Sequence, residues 1–139
     1  MFAIFCFVTT VWAQTADGWV GRYAFDKDSA GRTFFEIPPV KNALDKLTKE
    51  EREEVTTLNS VFIPITQIGH CLISRGCRPH ECPRNYSVVI IDLRNGVVHF
   101  GIRRTKENHR ENLWISTEGN YYDLPKDVQE AFQLYPTKK

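Results

Sequence analysis

The chain predicts an α+β fold, an antiparallel sheet with a helical segment in the N-terminal half and a short C-terminal helix. Three observations carry that reading. Tyr86-Ser87-Val88-Val89-Ile90-Ile91 and Val97-Val98-His99-Phe100-Gly101-Ile102 are strand-forming runs that flank Arg94-Asn95-Gly96, a strong hairpin signal. Pro38-Pro39 can open a helix whose one face collects Val40, Ala43, Leu44 and Leu47. Pro125 opens a second, with Val128, Ala131, Phe132 and Tyr135 as its apolar face.

The remaining elements follow in order. Trp19 to Phe25 and Thr33 to Ile37 read as two strands separated by the turn-rich Asp26 to Gly31 segment. Thr48 followed by Glu51 matches a capping box, so a second helical segment is expected to run to Leu58. Its middle, Lys49 to Glu54, is entirely charged and reads as a solvated face with no chemistry. Val61 to Ile68 is apolar but contains Pro64, which points to an edge strand or a bulge. Gly69 to Ser74 leads into a cysteine loop, and Leu113-Trp114-Ile115 adds one more strand to the meander.

Residues 1–13 carry no charged side chain and include the apolar run Phe2 to Val8, with Val11 and Ala13 placed as signal peptidase prefers. The segment reads as a signal peptide, leaving 14–139 as a single domain of sufficient size for one core. The basic start usual in such peptides is missing, which reads as a truncated or misassigned beginning. A buried first strand is the competing reading. The run is too short to span a bilayer.

Charged residues make up 25% and hydrophobic residues 42%, which places the chain among globular rather than disordered proteins. A formal net charge of +1 argues against a nucleic-acid partner held by broad phosphate attraction. There is no Gly-rich phosphate loop, GxSxG elbow or HExxH helix, so neither an enzyme nor a cofactor is expected. Of the four histidines, His99 reads as a strand-face residue and His109 as solvated in a charged loop, while His70 and His80 flank or enter the cysteine cluster.

That cluster, Cys77-Arg78-Pro79-His80-Glu81-Cys82, is the most informative stretch of the chain. Removal of 1–13 takes Cys6 and leaves Cys71, Cys77 and Cys82. In an oxidising compartment Cys77 and Cys82 are the natural pair, because Pro79 promotes the tight turn between them. On the loop-entropy model so small a ring is worth only about 2 kcal/mol, so the bridge shapes the loop more than it holds the fold. Cys71 is then a buried thiol beside Leu72 and Ile73, although the sequence leaves its pairing with either other cysteine open. The rival is zinc, held by four of His70, Cys71, Cys77, His80 and Cys82. The C-x5-C and C-x4-C intervals match no paired-knuckle spacing, and export favours the bridge, so no metal is expected.

The hexapeptide resembles the C-K-P-H-D-C loop of the Ivy family, periplasmic inhibitors of vertebrate-type lysozymes, with arginine for lysine and glutamate for aspartate. Tyr86 to Ile91 resembles the strand that follows that loop, and Glu111-Asn112-Leu113-Trp114-Ile115 is similar to the family's K-L-T-W-L segment. The resemblance spans roughly Leu72 to Ile115. Pro83 stands where the family commonly has glycine, and the charged Thr48 to Leu58 segment has no clear counterpart.

The resemblance implies a periplasmic or secreted inhibitor, with a lysozyme-type glycoside hydrolase as its protein partner and homodimers as a further expectation. His80 corresponds to the residue inserted between the target's two catalytic carboxyl groups. Arg78, Pro79 and Glu81 would share in binding, and Arg75, Arg78 and Arg84 would surround the imidazole with positive charge. A periplasmic binding or assembly module using the same loop on another partner is the rival function.

Overall fold

The computed structural model of the 139-residue chain describes residues 18–82 and 84–132, so the expected signal segment, Pro83 and Tyr135 lie outside it. Six strands form one antiparallel sheet: β1 (Val61–Phe62), β2 (Thr66–Ile68), β3 (Cys71–Cys77), β4 (Tyr86–Asp92), β5 (Val98–Lys106) and β6 (His109–Ser116). Strands β3 to β6 form a meander. β1 and β2 lie end to end along the free edge of β3, interrupted by Pro64 as the sequence predicts.

The β4–β5 hairpin forms where Asn95-Gly96 predicts it, with Gly96 at φ 71° and the Asn95 side chain accepting from the Val97 amide at 2.9 Å. The β5–β6 hairpin is longer than the three-residue strand expected at Leu113. It turns on Glu107 and Asn108, both left-handed at φ 47° and 67°. A two-residue turn of that hand matches the twist of the flanking strands. His109 is therefore the first residue of β6, paired with Lys106, and not part of a loop.

Alternation along the strands sorts apolar side chains onto two faces. Leu72, Val89, Ile91, Val98, Phe100 and Ile102 face the N-terminal helical layer. Ile73, Val88 and Ile90 face Tyr121, Leu124 and Val128, the last from the C-terminal helix α3 (Lys126–Phe132). Every residue of β4 is buried, because both faces of the sheet are covered there. Cys71 is a free, buried thiol, and burial pushes its pKa up to about 11.

The N-terminal layer holds α1 (Pro38–Leu44) and α2 (Lys49–Glu53). Pro38 and Pro39 open α1, and Val40, Ala43, Leu44 and Leu47 are buried as the periodicity predicts. At α2 the Thr48 hydroxyl accepts from the Glu51 amide at 3.2 Å, and the Glu51 carboxylate accepts from the Thr48 amide at 2.8 Å. Arg52 then donates to the carbonyls of Leu44, the last residue of α1, and Leu47, tying α2 to the end of α1.

Two expectations fail. Trp19 to Phe25 and Thr33 to Ile37 are not strands: the first is a run of turns, and Phe34–Glu36 is a 3-10 turn. Asp26 accepts from the Tyr23 amide at 2.8 Å and Gly21 is left-handed at φ 83°, which bends the first segment. In the second, Glu36 accepts from the Thr33 amide at 2.7 Å, closing a turn inside a run of strand-prone aromatics. Trp19, Ala24, Phe34 and Phe35 are all buried as an aromatic plug rather than alternating in and out.

The charged run is also not wholly solvated. α2 passes into a π-helical turn, Glu54–Leu58, which brings both Glu54 and Val55 to the interior. Glu54 receives the Arg104 guanidinium from β5, with Nε 2.8 and 2.9 Å from the two carboxylate oxygens and Nη2 2.6 Å from Oε1. This multiple contact ties the helical layer to the sheet. Truncation of Glu54 to Ala should cost about 3 kcal/mol, since partly buried Arg104 is left with only the half-exposed Glu111 carboxylate, 3.9 Å away, as a counter-charge. Urea midpoints would measure this, and Glu54→Leu combined with Arg104→Met should recover most of the loss.

His99 is buried on the opposite face, with Nδ1 2.8 Å from the Ser116 hydroxyl and its ring stacked on Trp114. Burial holds its pKa below the ordinary 6.5, against an upward pull from Asp92 and Asp123. The unfolded chain therefore takes up a proton at this residue that the folded chain refuses. Stability should fall as pH drops from about 7 to about 5. The lowered carboxyls of Asp28, Glu36 and Asp92 are expected to act below that window. Denaturation at both pH values would show the fall in the parent and a flatter response in His99→Gln.

Candidate functional site

Strands β3 and β4 pair from Cys71↔Asp92 to Cys77↔Tyr86, and residues 78–85 connect them at the far end of the ladder. A disulfide joins Cys77, the last residue of β3, to Cys82, with Cα atoms 5.5 Å apart. The expected pairing is therefore present. The rival zinc set is pulled apart, because His70 and Cys71 lie at the opposite end of β3, about 20 Å from Cys77 by the rise of a strand. His70 instead faces Asp92, with Nε2 3.7 Å from its carboxylate. Among the described residues no cluster of three or more His, Cys, Asp or Glu side chains could hold a metal.

Within the bridge, the Glu81 amide donates to the Arg78 carbonyl at 3.0 Å, closing a turn over Pro79 and His80. Proline suits the first central position of such a turn, and in its type II form the second takes a positive φ. His80 occupies it, at φ 61°. Glycine would take that conformation without steric cost, so the turn holds an imidazole at a place where backbone preference does not favour one. Pro79 and His80 are both exposed at the tip.

The charged residues expected around His80 have contacts of their own. Arg78 Nε lies 3.6 Å from the Glu81 carboxylate, so the two flanking charges face each other. Arg75 lies over the ring of buried Tyr86 at 4.6 Å, and Arg103 over the same ring at 4.9 Å. Burial raises the Tyr86 pKa, with Arg103 and Arg75 opposing the rise. Arg84 is exposed, and its carbonyl accepts from the Thr105 hydroxyl at 2.7 Å.

Sequence reasoning missed Asn85 and Thr105. Asn85 donates through its side-chain amide to the Glu81 carboxylate at 2.9 Å, while its side-chain oxygen accepts from the Thr105 amide at 2.8 Å. The Asn85 carbonyl also accepts from the Arg78 amide at 2.9 Å. The loop exit is thus clamped onto β5, and the half-exposed Glu81 carboxylate is tied to the same asparagine. The available signal was an asparagine between a loop and a strand, a position where its side chain commonly bonds nearby backbone. Its partner is twenty positions away and has no local signature.

A short, covalently closed loop on the end of a covered sheet, with one imidazole at its tip, has the form of a protein inhibitor that docks a preorganised loop. Residues 39–137 match the profile of the family described as inhibitor of vertebrate lysozyme (Ivy), more than two thirds of the chain, and the chain belongs to that family. The family is one of lysozyme inhibitors, consistent with a role other than catalysis. No curated protein and no solved structure matches the chain. Among the described residues, no helix is long and apolar enough to cross a membrane.

Asn85→Ala should leave the fold intact while loosening the loop exit. Hydrogen exchange at the Thr105 amide should accelerate, and inhibition of a lysozyme should weaken about fivefold through lost preorganisation. Unchanged exchange at Thr105 would show that this clamp does not form in solution.

Proposed function

We propose that the mature chain, residues 14–139, is an exported inhibitor of a lysozyme-type muramidase that blocks the enzyme by inserting His80 into its active site. The observation that carries this reading is the left-handed, exposed His80 on a disulfide-closed turn in a chain of this family. A periplasmic or secreted location agrees with the oxidised pair and with the leader-like character of residues 1–13.

The chemistry of the target makes the fit specific. Retaining lysozymes hold two carboxyl groups about 5 Å apart, one protonated acid and one ionised carboxylate. Neutral imidazole has one N–H donor and one nitrogen acceptor. Placed between the two groups, it accepts from the acid and donates to the carboxylate, satisfying both at the point where substrate would bind. Pro79 and the bridge restrict the free loop, so little conformational freedom is lost on docking. Arg78, beside Glu81, brings positive charge toward an acidic cleft, and Glu81 acts chiefly by holding Asn85.

His80→Ala should therefore behave as a hot-spot loss on the order of 2 kcal/mol or more, at least about 30-fold in inhibition constant. His70 is the suitable control, being at the opposite end of β3, whereas His109 begins β6 at the loop's own end of the sheet. The assay compares parent, His80→Ala and His70→Ala against c-type and other lysozymes after circular dichroism shows all three folded. Equal inhibition by His80→Ala and the parent would sink the insertion mechanism, and a parent inactive at micromolar concentration would sink the inhibitor reading.

A further inference from the structure

The edge strand beside the loop has an unusual surface. Val61 pairs with Cys77, and the Ile63 amide donates to the Arg75 carbonyl at 3.2 Å, so residues 61–63 start beside the bridge and run antiparallel along the end of β3. Val61 and Ile63 are 47% and 51% exposed. Exposed sheet edges are usually blunted with charge, yet here two β-branched side chains face solvent. Together with Arg75, Gly76, Cys77 and Cys82 they line a mainly apolar groove of about 350 Å³. Both bridging cysteines belong to its wall.

The shelf is held open by packing from behind. Phe62 lies on the other face of the edge, with its ring 5.1 Å from that of Phe25 and 5.8 Å from that of Phe35. Gly76 has no room for a side chain, since an added Cβ would lie 2.6 Å from the Phe62 ring and 2.5 Å from the Asn59 carbonyl oxygen. Phe62 therefore seats directly on the β3 backbone, which keeps Val61 and Ile63 close beside the cysteines. The edge is a supported surface continuous with the base of the His80 turn.

We infer that Val61, Ile63 and the Cys77–Cys82 bridge form a second docking surface, which packs against the apolar wall of the same muramidase cleft that receives His80. This rests on the proposed inhibitory reading. A ligand cleft is lined mostly by apolar and aromatic side chains with a few polar groups at the reacting centre. A loop only six residues long reaches those polar groups when the lip of the cleft closes onto the loop's base. The apolar groove is at that base. His80 then supplies the polar contact at the catalytic pair, and the shelf supplies burial around it, excluding water from the central contact.

The test is the Val61→Ser/Ile63→Ser double variant, with single Ile63→Ser as the milder substitution, assayed beside His80→Ala against a c-type lysozyme. The double variant should inhibit about tenfold more weakly, because each half-exposed side chain loses the remaining part of its burial. The loss should appear in the dissociation rate, with association and its salt dependence unchanged. Hydrogen exchange of the parent, free and with lysozyme, reports residues 61–63 without any substitution, and protection is expected there. Full inhibition by the folded double variant, or exchange at 61–63 unchanged by lysozyme while residues 78–82 are protected, would overturn the shelf and leave His80 insertion standing. A shelf that proves to be buried between two copies in sedimentation, with inhibition unaffected by the serines, would also overturn it. A parent that does not inhibit removes both proposals together.

Discussion

The antiparallel ladder between β3 and β4 is the constraint on which the rest depends. Its seven residue pairs run from Cys71↔Asp92 to Cys77↔Tyr86, and β4 is covered on both faces throughout. Because side chains alternate with a period of two, one step of slippage would exchange every buried residue for its neighbour on the other face. Register is thus fixed by two cores at once. That fixed register delivers Cys77 to the end of the sheet beside Tyr86 and leaves residues 78–85 to cross between the strands. The bridge, the turn at His80 and the Asn85 clamp are all consequences of where the ladder stops.

The two layers on the sheet are attached by different physics. The C-terminal side packs Tyr121, Leu124 and Val128 onto Ile73, Val88 and Ile90, with the Tyr121 hydroxyl donating to the Gln129 carbonyl at 2.8 Å. The N-terminal side combines a larger apolar core with the Glu54–Arg104 pair. A buried ion pair adds little net stability over apolar residues of similar size, but it penalises any packing that separates the partners. Here it fixes the placement of the π-helical turn against β5. The same strand holds Thr105, which anchors the loop exit through Asn85. Positioning of the helical layer and of the loop therefore meet on adjacent residues of β5.

Rigidity at the loop is distributed rather than supplied by the disulfide alone. A bridge across so few residues removes little entropy from the unfolded chain. Its effect is local, restricting a turn that Pro79 already favours and that the Glu81 amide closes on Arg78. Asn85 and Thr105 then hold the exit, and the Arg75–Tyr86–Arg103 stack occupies the adjoining sheet face. An imidazole in a left-handed conformation is tolerated because its surroundings over-determine the backbone.

Local chemistry alone determined much of this protein. The Asn95-Gly96 hairpin, the break at Pro64, the proline-opened α1, the Thr48–Glu51 capping box and the Cys77–Cys82 ring are each specified by residues within a few positions of one another. Their energetics are short-range, so a reading of neighbours suffices. Trp19 to Phe25 and Thr33 to Ile37 failed that reading because their aromatics suit strands, while Asp26, Gly21 and Glu36 bend the backbone and the core accepts the rings as a plug. Glu54 was misread because nothing near it reveals Arg104 fifty positions on. Asn85 found its role only through Thr105, and Val61 and Ile63 became a surface only when β1 settled beside the bridge. The sequence therefore determined which residues could turn, cap or cross-link. Tertiary structure decided which charges and edges meet, because those contacts depend on strand order and register rather than on any local preference.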